Sequence, residues 1–293
     1  MNARAPALAD RISIVCVTHE SGGVVGDLLE SVARRCPVVL VDNASSDAAA
    51  VADLARRTGA TLIHGARNVG FGAACNRGCA ATSTEFVFFV NPDARLVDGA
   101  LEELLRAFDR YPACVAASPR LVDRDGRSAF KGRSVLLPQS QWIAEPDDDG
   151  VVPVLSGAAL CVRRGSFEAV GRFDERIFLY HEDDDLSIRL RAAGGELRLV
   201  RNATVVHAGG MGSGRSVAIA RRKGWWMGRS RVYAARKHGV PRAVTAAIAT
   251  AALQCLNPEV LWSPVRRAKQ WAFLRGVIEE ARNPATRGEE GSA

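Results

Sequence analysis

Short apolar runs alternate with amphipathic stretches along the first 117 residues, and this alternation constrains the fold more than any other feature. The runs are rich in β-branched residues and short enough to be buried strands, which we predict at 12–17, 38–41, 60–63, 85–89 and 114–117. Apolar residues at helical spacing predict helices at 24–35, 47–58, 69–81 and from Asp98 onward. Such close alternation favours an α/β fold, with a mostly parallel sheet flanked by helices and joined by right-handed crossovers.

The alternation ends after residue 117. Residues 118–152 are rich in Arg, Asp, Gly and Pro, which predicts an excursion with a mobile loop. Beyond it we predict a strand at 154–162, a helix at 182–193 and closing strands at 197–200 and 204–206. The chain is then expected to be helical from 216 to 282. We therefore expect a sheet domain at 11–215, a basic helical C-terminal region at 216–282, and disordered ends at 1–10 and 283–293.

The positive charge of the chain is concentrated in its last quarter. Residues 215–293 contain 15 Lys and Arg against 5 Asp and Glu, whereas residues 1–214 contain 24 against 27. Such asymmetry indicates nucleic acid or an anionic membrane surface as a partner, and an ordinary solvated basic face is the simpler reading. The most apolar run, at 243–256, has fourteen residues. A bilayer span needs about 20, so a buried or interfacial helix is expected.

Two aspartates follow predicted strands at what would be the same edge of the sheet. Asn91-Pro92 stops one strand because proline lacks an N–H for the ladder, and Asp93 follows at its carboxyl end. Open α/β sheets bind ligands there, and a carboxylate suits a divalent cation shared with a substrate phosphate. Asp42 ends the second strand and could accept from a ribose hydroxyl or a base N–H. For both, a turn or cap role is the structural alternative.

A second acidic centre is the run of four carboxylates at 182–185, Glu-Asp-Asp-Asp. A helix start favours acids, and like-charge crowding raises their pKa values, so one of them could serve as a general base near neutral pH. Helix capping by solvated acids is the alternative, although the flanking Phe178 and Tyr180 favour a pocket. His207 ends a predicted strand before the glycine-rich stretch 208–214, where a ligand role and a structural role are about equally supported.

Together these motifs resemble the inverting family-two glycosyltransferases of GT-A fold, which have a Rossmann-like sheet. The resemblance covers residues 11–215, and its strength lies in the order and spacing of the motifs. They are V-T-H at 17–19, V-D-N-A-S-S-D at 41–47, N-V-G-F-G-A-A-C-N-R-G at 68–78, F-V-N-P-D-A at 89–94, L-S-G-A-A-L-C-V-R-R at 155–164 and F-D-E…F-L-Y-H-E-D-D-D-L-S-I-R-L at 173–190, followed by His207. The Asn-Pro-Asp form of the metal motif most resembles the rhamnosyltransferase branch, which uses dTDP-L-rhamnose.

The resemblance implies a role for each matched residue. Asp183 matches the catalytic base, and Asp93 and His207 match the ligands of a divalent cation, Mg²⁺ or Mn²⁺. The acceptor-side candidates are Tyr180 and Glu182. The candidates for nucleotide and donor binding are Thr18, Asp42, Asn43, Asn68, Asn76, Arg77, Asn91, Asp93 and Gly157.

The implied reaction is a single in-line displacement. The metal neutralises the leaving diphosphate, Asp183 deprotonates the acceptor hydroxyl, and the anomeric centre inverts. The expected donor is a dTDP- or UDP-sugar, with L-rhamnose favoured, and the expected acceptor is a glycan or a polyprenyl-diphosphate-linked sugar such as GlcNAc. Further expectations are an anionic membrane surface as a partner, no nucleic acid, a possible homodimer, and a cytoplasmic location at the inner face of the plasma membrane.

Two other classes of protein remain open from the sequence. A nucleotidyltransferase that makes nucleotide sugars would share the sheet, but it is expected to carry a glycine-rich basic loop after the first strand. Residues 19–23 contain two glycines and no Lys or Arg. A non-catalytic nucleic-acid-binding protein is suggested by the basic last quarter, and salt-dependent binding would identify it.

Overall fold

The computed structural model describes residues 7–207, 209 and 216–282. The predictions for residues 1–6, for most of the glycine-rich stretch at 208–214 and for the tail at 283–293 lie outside the described residues. Nine strands are found within the described part: β1 (Ile12–Thr18), β2 (Val38–Asp42), β3 (Thr61–His64), β4 (Phe86–Val90), β5 (Ala94–Leu96), β6 (Cys114–Val122), β7 (Gly150–Val151), β8 (Ala159–Arg163) and β9 (Glu196–His207).

The helices of the described residues occupy the stretches between the strands and all of the C-terminal region. In chain order they are α1 (Leu8–Arg11), α2 (Val25–Val32), α3 (Ala48–Thr58), α4 (Phe71–Ala80), α5 (Ala100–Arg110), α6 (Arg164–Ala169), α7 (Glu182–Ala192), α8 (Val217–Lys237), α9 (Ala243–Cys255), α10 (Pro258–Trp262) and α11 (Pro264–Arg282). The expectation of disorder at 1–10 is wrong for the last three of those residues. Leu8 packs against the core, and Arg11 anchors α1 through a two-point ion pair with Asp109.

The strands form one mixed sheet in the order β3-β2-β1-β4-β8-β6-β9-β5, with β7 also paired to β9. β1 to β4 pair in parallel, as the strand–helix alternation predicts. β8 runs antiparallel to both β4 and β6. The connection from β6 to β8 contains a 3-10 turn at Gln139–Gln141 and no α-helix, so it does not impose the parallel crossover that a βαβ unit would.

The second half of the sheet departs from two predicted strand boundaries. The strand predicted at 154–162 begins only at Ala159, and residues 154–158 form a loop. The two closing strands predicted at 197–200 and 204–206 form one strand, β9. Its pairing with β6 shifts register between Val200 and Thr204 and then continues. Arg201 stabilises that bulge, since its backbone N–H donates to the carboxylate of Asp149.

The sheet is buried on both faces. Alternate residues of a strand belong to different core clusters: Ile14 and Phe88 pack with α2, α3 and α5, whereas Val15 and Phe89 pack with α4, α6 and α7. Residues that alternate across a strand point to opposite faces, and both faces of this sheet are covered by helices. This explains why the strands are continuous apolar runs in the sequence.

The carboxyl ends of β1, β2, β4, β6 and β9 lie at one edge of the sheet, which we call the ligand edge. The antiparallel strand β8 begins at this edge. The start of α7 also lies there, because the Asp183 carboxylate accepts from the Gly157 N–H in the loop before β8. In the C-terminal region, α8 and α11 pack closely at Gly224, Gly228 and Gly276. A Cβ at any of these glycines would lie 2.2 Å from a backbone oxygen of the other helix.

Candidate active site

Thr18 and Asp42 lie side by side at the ligand edge, at the ends of β1 and β2. Both are buried. The Thr18 hydroxyl is 3.5 Å from the Val41 carbonyl oxygen, and both carboxylate oxygens of Asp42 are 3.4 Å from the backbone N–H of Ser45. These are long, weak contacts. The Asp42 carboxylate therefore combines a turn contact with capacity to accept a hydrogen bond from a ligand.

Asn43 and Asn68 hold the loop that leads into α4. The Asn43 amide donates to the Asn68 side-chain oxygen at 2.9 Å, and its own oxygen accepts from the Val69 N–H at 3.0 Å. The Asn68 oxygen also accepts from the Gly70 N–H at 3.0 Å. In this structure both predicted donor-binding amides are engaged in shaping the loop.

Gly70 joins this loop to the segment that precedes α7. Its φ is +90°, and a Cβ there would lie 2.4 Å from the Phe178 carbonyl oxygen, so no other residue fits without movement of the backbone. The same oxygen accepts from the Phe71 N–H at 3.0 Å. The predicted glycine-rich motif thus serves close backbone packing.

The two other α4 candidates, Asn76 and Arg77, have different environments. Asn76 is buried and its amide binds both the N–H and the carbonyl oxygen of Phe173, at 3.1 and 3.0 Å. Arg77 is exposed. Asn76 therefore fixes the segment before α7 from behind, and the structure does not bring Arg77 into that network.

Asn91, Asp93 and His207 meet at the ligand edge, although His207 is 116 residues from Asn91 and 114 from Asp93 in sequence. The Asp93 carboxylate lies 3.1 Å from the His207 Nε2 atom, and the Asn91 amide lies 3.3 Å from the same nitrogen. Pairing of β5 with β9 produces this meeting, because Ala94 and His207 are register partners. The Asp93 and His207 side chains are mostly buried.

This group has donor atoms suited to a divalent cation. Asp93 and Asn91 offer oxygen atoms and His207 offers a ring nitrogen, which fits Mg²⁺ or Mn²⁺ when substrate phosphates and water complete the coordination. Within the described ranges, no three His, Cys, Asp and Glu side chains gather to hold an ion. A cation at this edge would therefore depend on phosphate oxygens from the substrate.

The segment that enters α7 has an unusual backbone. Tyr180 and His181 both have positive φ, +68° and +69°, which is rare for non-glycine residues and persists only where the surroundings impose it. Phe178 is held by the loop before α4 and by Trp226 of α8, whose ring stacks on it at 4.0 Å. The strained turn presents the four carboxylates at the start of α7.

Asp183 is held by contacts from the connection between β6 and β8. Its Oδ2 atom accepts from the Lys131 ammonium at 2.7 Å and from the Gly157 N–H at 2.8 Å, and its Oδ1 atom accepts from the Asp184 N–H at 2.8 Å. Gly157 was predicted to bind the donor. Here it contacts the predicted base, and a Cβ on Gly157 would lie 3.3 Å from that of Asp183.

Asp184 and Asp185 are committed to ion pairs. Burial opposes the charge of Asp184, but His181 and Lys131, at 3.1 and 2.9 Å, hold its pKa at about 2. Asp185 is fully buried, and despite that burial its pKa is also held at about 2 by His238 and Arg189, with Lys237 contributing. His238 and Lys237 belong to the end of α8, so Asp185 ties α7 to the C-terminal region.

Glu182 and Tyr180 were the predicted acceptor-side residues, and both are partly or wholly buried. Glu182 is only 7% exposed, and its Oε2 atom has no hydrogen-bond partner within the described part of the chain. Burial, reinforced by the negative charge of Asp183, raises the pKa of Glu182 to about 8. Burial and the charge of Glu182 also raise the pKa of Tyr180.

The C-terminal region contacts the ligand edge through the first turns of α8. The Arg222 guanidinium lies 3.4 Å from the His19 ring nitrogen, next to Thr18. Burial, followed by the charges of Lys269 and Arg222, lowers the pKa of Lys223, whereas the nearby charge of Asp93 acts to raise it. Arg222 and Lys223 therefore place positive charge of the basic C-terminal region next to the site.

Sequence reasoning missed Lys131, His238 and Lys237. Lys131 is 52 residues from Asp183, and His238 is 53 residues from Asp185. No motif or periodicity connects residues at such separations, and Lys131 lies in a stretch that was predicted only to be a mobile excursion. The resemblance to known enzymes ended before α8, so it contained no information on His238 or Lys237.

Comparison with known proteins agrees with the geometry. Residues 13–171 match the sequence profile of Glycosyl transferase family 2. An N-acetylglucosaminyl-diphospho-decaprenol L-rhamnosyltransferase of Mycobacterium tuberculosis is 30% identical, over 75% of this chain and 87% of that protein. A pre-mycofactocin glycosyltransferase from the same organism is 33% identical, over 50% of this chain and 32% of that protein.

Solved structures resemble the fold at low sequence identity. A mannosyltransferase of Pyrobaculum calidifontis, solved with GDP-Man and Mn²⁺, has a TM-score of 0.57 at 16% identity and covers 94% of this chain and 88% of its own. Staphylococcus aureus TarS, residues 1–349, has a TM-score of 0.55 at 16% identity, with 93% and 91% covered. The nucleotidyltransferase and nucleic-acid-binding readings are therefore set aside, and the chain is a glycosyltransferase that belongs to family 2 and has the GT-A fold.

Proposed function

We propose that the protein transfers L-rhamnose from dTDP-L-rhamnose to a polyprenyl-diphosphate-linked GlcNAc, with inversion at the anomeric carbon. The observation that supports this most is the meeting of Asn91, Asp93 and His207 at the edge where Thr18 and Asp42 end their strands. That edge supplies a nucleotide site beside a cation site. The choice of donor and acceptor rests on the name of the mycobacterial relative.

In the proposed donor complex, Asp42 accepts a hydrogen bond from the nucleoside, and Thr18 lies beside Asp42. Asn43 and Asn68 hold the adjoining loop through their mutual hydrogen bond. Asp93 and His207 would hold the divalent cation, with Asn91 next to them. A bound cation there neutralises charge on the leaving diphosphate. Lys223 adds a positive side chain near Asp93, since the charge of Asp93 acts to raise the pKa of Lys223.

Asp183 is the proposed general base. It accepts the proton of the acceptor hydroxyl while that oxygen attacks the anomeric carbon, and the bond to the diphosphate breaks on the opposite side. Asp184 and Asp185 are poorly suited, because their ion pairs hold both pKa values at about 2. Glu182 is more deeply buried than Asp183, so we place it behind the acceptor site as a supporting group.

A transfer assay tests this function. Purified protein is given dTDP-L-rhamnose or a UDP-sugar with GlcNAc-diphosphate carried on a short polyprenol, and product is measured with Mg²⁺, Mn²⁺ or chelator. We expect transfer from dTDP-L-rhamnose that chelator abolishes and that Asp93→Ala weakens together with metal-dependent dTDP binding. Asp183→Asn should keep donor binding and lose transfer by about 10²–10⁴-fold. Transfer at the parent rate by Asp183→Asn would remove Asp183 from the role of base.

We also propose that the C-terminal region rests on an anionic membrane, where a polyprenyl acceptor would be held. Trp225 and Trp226 of α8 do not fit a place among the lipid headgroups, because Trp226 stacks on Phe178 and the Trp225 indole donates to Glu279 at 2.6 Å. The exposed apolar side chains lie instead on α9, α10 and α11. The most exposed of them are Leu253, Leu256 in the turn after α9, Trp262 and Trp271, and Trp262 is 86% exposed.

The charge near these side chains suits an anionic surface. Arg266, Arg267 and Lys269 occupy the first turns of α11, directly after Trp262, and exposed aromatic and basic residues together favour the headgroup region. Among the described helices, none is both long and apolar enough to cross a membrane. The proposed contact is peripheral, and a homodimer stays a separate prediction.

Sedimentation with vesicles tests the membrane contact. Trp262→Ser and Leu253→Ser should reduce recovery with vesicles that contain anionic lipid, whereas Val151→Ser, which removes an exposed apolar side chain from β7, should not. Recovery of the parent should fall at high salt because the basic residues are then screened. Equal recovery with neutral and anionic vesicles at low and high salt would reject the proposal.

A further inference from the structure

Lys131 is a partly buried cation, with its side chain 26% exposed, that the proposed mechanism has not yet used. Its backbone is fixed on both sides, since the Ala129 N–H donates to the Leu121 carbonyl at 2.9 Å and the Ile143 N–H donates to the Gly132 carbonyl at 3.0 Å. Its ammonium lies 2.7 Å from Asp183 Oδ2. This lysine therefore reaches the start of α7 from an anchored part of the excursion between β6 and β8.

The ammonium of Lys131 stays protonated in this position. Burial acts to lower its pKa, but the carboxylates of Asp183 and Asp184 outweigh burial and hold the pKa above its ordinary value. The distance to Asp184 Oδ1 is 2.9 Å. Lys131 is therefore a fixed positive charge shared by two carboxylates, and it is not itself a base.

The hydrogen bonds of Asp183 leave one acceptor position open. An ionised carboxylate has about four lone-pair sites, two on each oxygen. Oδ2 is filled by the Lys131 ammonium and the Gly157 N–H, whereas Oδ1 receives only the Asp184 N–H among the described residues. The vacant site is therefore on Oδ1.

We propose that Lys131 is a positioning residue that occupies Oδ2 of Asp183 and so directs Oδ1 toward the acceptor hydroxyl. The inference rests on the proposed role of Asp183 as the base. In the transfer step the hydroxyl proton passes to Oδ1, the hydroxyl oxygen bonds to the anomeric carbon, and the leaving diphosphate takes the electron pair of the broken bond. Lys131 keeps its proton throughout.

Asp184 gives this arrangement a second function. When Asp183 accepts a proton it becomes neutral, and a partly buried ammonium without a counter-ion would then be costly. Asp184 remains ionised because its pKa is held at about 2, despite burial, by His181 and Lys131. The ammonium is thus paired before and after proton transfer, which limits the electrostatic cost of the step.

The alternative is that Lys131 only fastens the excursion to α7. The protein offers a matched control for that reading, because Arg201 fastens the same excursion by an ion pair with Glu145 at 2.5 Å and has no contact with the acidic start of α7 within the described residues. Arg201→Met removes an anchor of the excursion and leaves the base untouched. Lys131→Met removes both an anchor and the partner of Asp183.

Steady-state kinetics and dTDP binding of Lys131→Met, Lys131→Gln, Lys131→Arg, Arg201→Met and Asp183→Asn test the proposal. A misplacement of about 1 Å can cost about 10²-fold in rate. We expect kcat of Lys131→Met to fall by about that factor with donor affinity unchanged, and Lys131→Arg to recover most of the loss. Arg201→Met should keep its kcat within a small factor, and Lys131→Gln, which retains a donor without charge, should lie between the other two Lys131 variants.

Each contrary outcome has a distinct meaning. Parent-like kcat in Lys131→Met or Lys131→Gln overturns the positioning role, and so does an equal loss in Arg201→Met. If Lys131→Met does not fold, Lys131→Arg and Lys131→Gln decide, and equal kcat values in these two variants overturn the proposal. Retained transfer in Asp183→Asn shows instead that the proposed base is wrong, whatever the Lys131 variants do.

Discussion

The substitution Glu182→Gln should make the protein more stable at alkaline pH and leave its stability near pH 4 almost unchanged. Glu182 is buried, and its Oε2 atom has no hydrogen-bond partner among the described residues. Burial and the charge of Asp183 raise its pKa to about 8, from 4.5 for an unperturbed glutamate. Glutamine has the same shape and is neutral at every pH, so it removes this titration with little change in packing.

The size of the effect follows from proton linkage. Between pH 4.5 and about 8 the unfolded chain releases the proton of Glu182 while the folded protein retains it. The free energy of unfolding of the parent therefore decreases as pH rises through this window, by about 1.36 kcal/mol for each pH unit. The contribution of Glu182 is fully present below pH 4.5, and about 5 kcal/mol is the upper limit of its loss by pH 8.

Urea unfolding at pH values from 4.5 to 8.5 measures this difference. The advantage of Glu182→Gln over the parent should grow with pH across the window and level off above pH 8. Glu30→Gln, on the exposed face of α2, is the matched control and should give a curve parallel to that of the parent. If Glu182→Gln and the parent also stay parallel from pH 5 to pH 8, Glu182 is ionised in the folded state and the argument from burial fails.

Three other substitutions test close contacts and buried charges. Gly70→Ala should lower the free energy of unfolding by about 1–3 kcal/mol, because φ is +90° and the new Cβ would meet the Phe178 carbonyl. The control is Gly23→Ala, whose Cβ would have no atom within 4 Å, and it should have a much smaller effect. Asp185→Asn should cost about 3–5 kcal/mol by removing a fully buried carboxylate that pairs with Arg189, Lys237 and His238. It should also remove the stability that the parent loses as pH falls from 3.8 toward about 2. Trp226→Ala should lower the melting temperature by loss of its stacking on Phe178, and a melting temperature equal to the parent's would show that this contact does not fasten α8.

The elements that could be predicted from the sequence are those whose burial leaves a local pattern. β1, β2 and β4 were predicted to within one residue at each end, because strands covered on both faces must be continuous apolar runs. The family resemblance then located Asp93 and His207, which the structure places 3.1 Å apart. A short motif identifies such residues because each one sits at the end of a predictable strand.

Predictions failed where a residue's environment is set by a distant part of the chain. Arg201 interrupts an apolar run and suggested a break between two strands, yet β9 continues because Asp149 binds the backbone N–H at that point. Asp47 is the first residue of the helix predicted at 47–58, yet it lies just before α3, and its carboxylate accepts from the Gly22 N–H at 2.6 Å and makes no capping hydrogen bond. Both partners belong to loops, and loops carry little periodic signal.

By itself, the sequence determined the α/β class, the strands of the first half of the sheet, the family and the carboxylates at the ligand edge. These follow from hydrophobic periodicity and from motifs contained within a few consecutive residues. Only the tertiary structure decided what each carboxylate does. Asp183, Asp184 and Asp185 are adjacent and chemically identical, and they differ because separate elements bring Gly157, Lys131 and His238 to them. Burial and charge act through space, so neighbours in sequence such as Glu182 and Asp184 can have unlike pKa values, of about 8 and about 2.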